Sequence, residues 1–411
     1  MAEKNFIDVS KKIDSCRDEI IQVQKELTAR PALSPVNEGK GEWEKARWVI
    51  SYLKKIGVDS IEECNAPDKK VPEGTRPNII AKMKGKSSSR TIWVMSHLDI
   101  VPPGELSLWK SDPYKVVVDG DKLFGRGVED NQQGMVASLM AVKAFKELGI
   151  IPEYDIGLAI VSDEETGSEF GIDYVVKNSS FFRKDDLIIV PDAGDEVGSM
   201  IEVAEKSILW TKYRTVGKQC HGSTPKKGTN AHKAAASLIL MMDSLYKKFP
   251  YKDKVFDPSD STFEPTKKEN NVPNINTIPG EDVFYTDFRI LPKYRVDRVI
   301  VEVTKMIKKV EKKYKVKISR EYPQRNDAAP PTPVDAPVVV ALKKAIKDVY
   351  KVNGKAMGIG GGTVAALFRK AGYQAAVWSR LDETAHSYNE YCYISNIMGD
   401  ARVFAHIFMQ K

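Results

Sequence analysis

Apolar positions along this chain follow two rhythms. Up to Ile56 they recur at helical spacing in a charged background, with Ile13, Ile20, Ile21 and Val23 forming one stripe and Trp43–Ile56 repeating the pattern. Beyond that point they bunch into runs of strand length at 77–83, 91–95, 156–161 and 187–190. A longer apolar stretch, Gly134–Leu148, falls between the second and third runs and opens on the polar segment Glu129–Gln133, so it reads as a helix. Short buried strands alternating with helices predict an α/β domain with a central mixed sheet flanked by helices. In open sheets of this kind ligands bind beyond the carboxyl ends of the strands.

From Ile208 to Tyr322 the order changes. The pattern predicts a strand (Ile208–Val216), a helix (Ala231–Lys248), two strands flanking Pro279-Gly280, a helix (Val296–Tyr314) and a strand (Val316–Tyr322). That βαββαβ order is the signature of a ferredoxin-like α+β unit. The proline-rich segment Ala328–Val334 reads as a linker back to the first domain. The expected division is therefore 1–207 and 323–411 for one domain and 208–322 for an insertion. The last section supplies a helix from Val338, the glycine run Gly358–Gly362, another helix, the strand Gln374–Trp378 and a loop carrying His386.

Composition narrows the class. At 411 residues, 42% hydrophobic and 29% charged, the chain suits a globular protein of two domains. No apolar run approaches the roughly 20 residues needed to cross a bilayer, and the first residues lack the apolar core of a signal peptide, so a cytoplasmic location is expected. The net charge of +7 is mostly lysine spread along helical stretches such as 305–317, which reads as a solvated face and not as a nucleic-acid surface. Cys16, Cys64, Cys220 and Cys392 lie far apart with no CxxC spacing, so buried thiols are expected in place of disulfides or a thiolate zinc site.

The chemistry lies where apolar runs end. In Trp93–Asp99 an apolar run closes on His97 and Asp99, two residues apart and so on one side of an extended strand. Asp130 opens the predicted helix, where it or Asn131 serves either as a cap or, through two oxygens, as a bridge between two cations. Glu164 and Glu165 follow the third run as adjacent acids; unless they form an exposed turn, their repulsion calls for a cation. Asp192 follows the fourth run, and His386 is one of only five histidines. Two histidines with several carboxylates suit two divalent ions, zinc first, with cobalt or manganese as alternatives, better than the all-oxygen cages of calcium or magnesium. Such a pair activates a water for hydrolysis, and Glu164 can carry the proton to the leaving nitrogen.

These motifs together resemble a known family. His97–Pro102 (HLDIVP), Gly125–Asp130 (GRGVED), Asp163–Gly167 (DEETG), Pro191-Asp192 and His386 look like the co-catalytic di-zinc amidohydrolases. That family includes acetylornithine deacetylase, succinyl-diaminopimelate desuccinylase, carnosinase, aminoacylase and related dipeptidases. The resemblance runs from about residue 77 to the C-terminus. It implies a zinc-peptidase-like catalytic domain with an inserted lid and dimerisation domain. By the same resemblance His97, Asp130 and Asp192 would hold one metal and Asp130, Glu165 and His386 the other, with Asp130 bridging. Asp99 would support a metal-binding histidine, and Glu164 would be the general acid and base. An aspartate at 192 is common among the dipeptidases, whereas several deacylases carry glutamate.

Within the insertion, Lys218–Pro225 resembles the lid motif whose histidine, here His221, donates to the tetrahedral oxyanion, in dimeric relatives across to the partner's site. The short insertion resembles those dimers, so a homodimer is expected. Asn276 (or Asn274) and Arg289 match positions that contact substrate, and an arginine fork suits a carboxylate. Gly361 and Gly362 read either as an anion-binding turn or as a tight turn needing positive φ. His232 and His406 read as structural. The activity implied is hydrolysis of a linear amide bond in a small N-acyl amino acid, of the desuccinylase or deacetylase type, with a dipeptidase or carboxypeptidase as the alternative. A metal-binding protein without turnover would have no use for Glu164.

Overall fold

A computed structural model describes residues 2–410. The helical rhythm at the start of the chain becomes the helices Ala2–Asp14, Arg17–Thr28 and Trp43–Ile56, with Ile13, Ile20 and Val23 buried. The third helix stops at Gly57, whose φ of 79° is left-handed and cheapest for a residue without Cβ. The chain forms two compact units. The first runs up to Val203 and resumes over Thr332–Met357 and from Thr363 onward; the second comprises Ala204–Pro331 with Gly358–Gly362.

The first unit has an α/β architecture on an eight-stranded sheet. Its strands lie in the order Ser60–Glu63, Ile79–Met83, Tyr154–Val161, Ser87–His97, Leu187–Asp195, Ala375–Arg380, Met200–Glu205 and Lys355–Ile359. The four central strands from Tyr154–Val161 to Ala375–Arg380 run parallel, while Ile79–Met83 and Met200–Glu205 join antiparallel, so the sheet is mixed. Seven consecutive residues of Asp155–Val161 are buried, as expected for a strand covered on both faces. One face carries Trp93, Met95, Val161, Ile188 and Val190 against helix residues Ile172, Val175 and Phe368. Gln132–Glu147 is apolar nearly all round because it is enclosed, packing on Ile394–Phe408 as well as on the sheet.

Two details differ from the sequence pattern. Asp192 lies inside the strand Leu187–Asp195 and not beyond its end. The register with Ala375–Arg380 slips after Val377, so Gly194 and Asp195 still pair while Pro191–Ala193 stand out of step. Gly134 touches the same place: a Cβ there would lie 2.5 Å from Pro191 Cγ and 2.8 Å from its carbonyl oxygen.

The second unit is an α+β layer. Its sheet runs Thr262–Lys268, Glu281–Ile290, Ser207–Val216, Lys317–Asn326, antiparallel throughout, with Leu209, Tyr213, Phe284 and Phe288 packed on Leu238, Val299, Val303 and Met306 of its helices. The predicted helix over 231–248 is two, Ala231–Met242 and Ser244–Lys248, broken at Asp243, whose N–H turns to the Met241 carbonyl. The strand expected just before Pro279 is only Thr277–Ile278, paired with Cys220–His221 in a separate ribbon. The partner strand is instead Thr262–Lys268, where only Phe263 is buried and the apolar signal is correspondingly weak. All four cysteines are free. Among the described residues no helix is long and apolar enough to cross a membrane.

The close approach at Gly134 gives a test of packing. Alanine would gain up to about 1 kcal/mol of helix propensity, but the clash with Pro191 outweighs it. Gly134→Ala is expected to cost about 1–3 kcal/mol, read as a lower urea midpoint with unchanged slope. An unmoved midpoint would show that the strand at Pro191 yields freely.

Candidate metal centre

His97 ends its strand fully buried, and its two ring nitrogens have distinct tasks. Nδ1 lies 3.0 Å from the backbone oxygen of Asp99, which can only accept, so Nδ1 carries the proton. Nε2 lies 3.0 Å from Asp130 Oδ1 and 3.3 Å from Asp192 Oδ1. On the other side of Asp130, Oδ2 is 3.1 Å from His386 Nε2, which is also 3.0 Å from Glu165 Oε2. Asp130 thus divides its two oxygens between two histidines. Two three-residue groups result, His97/Asp130/Asp192 and Asp130/Glu165/His386, each with its donor atoms within 4.8 Å of one another.

The charge balance explains the proton affinities. Burial would lower the His97 imidazole, but hydrogen bonding to Asp130, Asp192 and Asp99 outweighs it and holds it well above the usual range. His386, more exposed, is raised to about 10 by hydrogen bonds to Asp130 and Glu165. Burial pushes Asp130 up, yet its two imidazole partners bring it below the usual carboxylate range. Glu164 makes no such hydrogen bond: burial, with Asp192 and Asp130 nearby, outweighs the nearby charge of His97 and drives its carboxyl well above the ordinary value. Glu165 is raised by burial too. The donor chemistry, two imidazoles and three carboxylates with one carboxylate shared, fits a pair of borderline divalent cations.

Backbone contacts fix these side chains. Asp99 accepts from the Glu164 N–H at 3.0 Å and the Glu165 N–H at 2.9 Å, and its Oδ1 stands 3.5 Å from His97 Nδ1. It therefore ties the strand end to the 164–165 turn. That turn starts at Asp163, a non-glycine residue at φ 66° that also approaches Arg76 at 3.5 Å. Arg76 makes its main ion pair with Glu42, fully out of solvent. Asn131 begins the helix without capping it; its amide donates instead to Asp192 Oδ1 at 2.8 Å and the Pro191 carbonyl at 2.6 Å.

Several contributors escape the sequence pattern. Glu390 accepts from Arg126 Nη1 (2.6 Å) and from the N–H groups of Gly127, Glu129 and Asp130. Glu129 reaches the opposite way and accepts from the N–H groups of Asp382 (2.9 Å), Thr384 and Ala385 (2.9 Å). Lys45, lowered to about 8 by burial, donates to the Leu98 carbonyl at 2.9 Å, near Asp99, Glu42 and Glu390. An acid next to Asp130 and one four residues after His386 are visible in the sequence, but nothing there pairs them.

His221, Asn276, Arg289, Gly361 and Gly362 belong to the second unit. His221 is exposed; its Nδ1 accepts the Ser223 N–H at 3.2 Å, which places the ring proton on Nε2. The exposed Asn276 offers its backbone carbonyl to the Gly222 N–H at 2.6 Å, so the two loops are joined. Arg289 is already engaged, bidentate on Asp287 (2.7 and 2.9 Å) and on the Gly360 carbonyl at 2.7 Å. Gly360–Gly362 do not adopt positive φ, contrary to the tight-turn expectation; a Cβ would meet nothing within 4 Å at Gly360, Ile359 Cδ1 at 3.9 Å at Gly361 and Asn326 Nδ2 at 3.5 Å at Gly362. His232 pairs with Asp282 at 2.8 Å and His406 with Asp348 at 3.0 Å, and neither is a member of the two groups.

Imidazole and carboxylate donors gathered beside the carboxyl ends of a mixed sheet define a metal-dependent hydrolase. The chain belongs to peptidase family M20/M25/M40, whose model matches residues 93–410. It is 42% identical over 408 residues to an uncharacterised metallohydrolase of Methanocaldococcus jannaschii, covering 95% of this chain and 98% of that one. It is 24% identical over 400 residues to the succinyl-diaminopimelate desuccinylase of Pelagibacter ubique, covering 94% and 97%. Human carnosine dipeptidase 1 shares the fold with a TM-score of 0.70 at 19% identity, covering 98% of each chain. Family members hydrolyse amide and peptide bonds, and this chain is a metallohydrolase of that class.

The raised imidazoles make cation binding a proton exchange. His386, raised to about 10, holds a proton at pH 7 that a cation must displace, and His97 is shifted in the same direction, so affinity should climb as pH rises through neutrality. Calorimetry of zinc binding in buffers of different ionisation heat should report net proton release. Identical heats in all buffers would contradict this charge balance.

Proposed function

We propose that the enzyme cleaves the amide bond of a small N-acyl amino acid, of the succinyl-diaminopimelate or acetylornithine type, with two divalent ions, zinc in the first instance. His97, Asp130 and Asp192 would hold one ion and Asp130, Glu165 and His386 the other. The observation that carries the reading is geometric: two donor groups share the one carboxylate of Asp130, and the Glu164 carboxyl lies beside them while belonging to neither. Bound there, the cations would supply a lowered pKa for water and polarisation of the scissile carbonyl.

The chain's own groups account for the rest. Glu164 accepts a proton from the attacking water as oxygen bonds to the carbonyl carbon. It returns that proton to the nitrogen as the C–N bond breaks, giving a carboxylic acid and an amine. Asp99 holds the Glu164 and Glu165 backbone in register with His97. His221, with its proton on Nε2, would donate to the oxyanion. The similarity to a desuccinylase along nearly the whole chain supports the N-acyl substrate.

A dipeptide substrate is the second reading, favoured by Arg289. Its charge is matched by Asp287, so this position offers less to the extra carboxylate of a succinyl group than an uncompensated arginine would. We further propose a cytoplasmic homodimer assembled through the second unit, with Asn276, Arg289, Gly361 and Gly362 meeting the substrate.

Glu164→Gln is expected to lower turnover by roughly 10²–10⁴-fold while two zinc ions per chain remain; full activity in that variant would end this mechanism. His221→Ala should lower kcat by roughly 10²–10³-fold with little change in KM, and a loss confined to KM would remove its oxyanion role. Rates on N-succinyl, N-acetyl and dipeptide substrates with zinc, cobalt and manganese decide between the two substrate readings.

A further inference from the structure

The two metal groups are held by different means. His97 is the terminal residue of a central strand, 1% exposed, with its ring locked by the Asp99 carbonyl. His386 sits on an exposed loop at φ 62°, and its side chain is 55% exposed, so neither packing nor a strand ladder fixes it. Arg126 Nη2 reaches the His386 carbonyl at 3.4 Å, and the segment leading to His386 is held by Glu129. This buried side chain, 2% exposed, comes from the residue next to Asp130 and takes the N–H groups of Asp382, Thr384 and Ala385 together with the Thr384 hydroxyl at 2.9 Å. Nothing else in the first unit offers those N–H groups an acceptor at such distances, among the hydrogen bonds of the described residues.

Glu390 makes the reciprocal connection. It is fully buried and carries the N–H groups of Gly127, Glu129 and Asp130, so it positions the backbone of the shared carboxylate. The two acids form a crossed brace between segments some 260 residues apart in sequence, each rooted in one loop and gripping the other. Their targets differ: Glu390 holds Asp130, common to both groups, whereas Glu129 holds the segment leading to His386, which belongs to one.

We infer that Glu129 is a positioning residue for the Asp130/Glu165/His386 position alone, setting how tightly that position holds its cation, while Glu390 acts on both. A carboxylate suits the task because it has acceptors only; an amide in its place would turn an N–H₂ group towards backbone N–H donors. This inference rests on the two-cation reading, and the same titration separates the two.

The experiment is a zinc titration of the metal-free full-length protein against a competing chromophoric chelator. If the wild type fails to take two ions per chain, the two-cation reading falls. With two ions bound, Glu129→Ala should keep one at wild-type affinity and weaken the other by roughly 10- to 100-fold. Glu129→Gln should do the same to a smaller degree, and it serves as the test should the alanine variant not fold. Glu390→Gln should weaken both ions. Two ions held at wild-type affinity by the folded Glu129 variants, or both weakened equally, would overturn the inference.

Discussion

Carboxylates brought close in a partly enclosed space repel one another, and burial adds a desolvation cost to each charge. Asp130, Glu164, Glu165 and Asp192 are gathered in this way, with His97 and His386 interleaved among them. Much of the surrounding structure answers that constraint. The imidazoles are driven towards their charged forms, Asp130 is kept ionised between them, and Glu164, which makes no hydrogen bond to either, is driven towards neutrality. A chain that keeps so much like charge together has arranged it for positive charge from outside, and that is the link from fold to metallohydrolase chemistry.

The supporting acids obey a different rule. Glu129, Glu390 and Asp99 are as buried as the core, yet each spends its oxygens on backbone N–H groups of irregular segments that have no ladder to join. They replace secondary structure where a regular strand or helix would aim the side chains wrongly. Asn131 does the same with an amide, giving up the capping role its position suggests in order to hold Asp192. The precision of the site therefore comes from buried polar networks, while the sheet supplies only the ends to which they attach.

That division also explains what was legible in the sequence. The central strands, the helix Gln132–Glu147 and the mixed sheet follow from apolar rhythm, because burial selects for it. The residues gathered around Asp130 stand out because acids and histidines after apolar runs are rare and chemically expensive. The strand Thr262–Lys268 does not stand out, since a sheet edge with one buried residue has almost no rhythm to read. Glu129 and Glu390 each look like ordinary surface acids in isolation; their meaning lies in a pairing across the whole chain. Arg289 was recognisable as a fork, but its partner Asp287, two residues away, shows only once the strand sets both side chains on one face.

The position of Ala375–Arg380 in the sheet has a temporal consequence. This strand lies between Leu187–Asp195 and Met200–Glu205, which are neighbours in sequence but not in space. A ribosome delivers both flanking strands, and the whole of Ala204–Pro331, before the strand that fills the slot between them. Until Ala375–Arg380 is made the slot between them has no occupant, and the loop bearing His386, which follows it in sequence, does not yet exist. Completion of the sheet and completion of the second donor group therefore draw on one stretch of chain, which is translated after the whole of Ala204–Pro331.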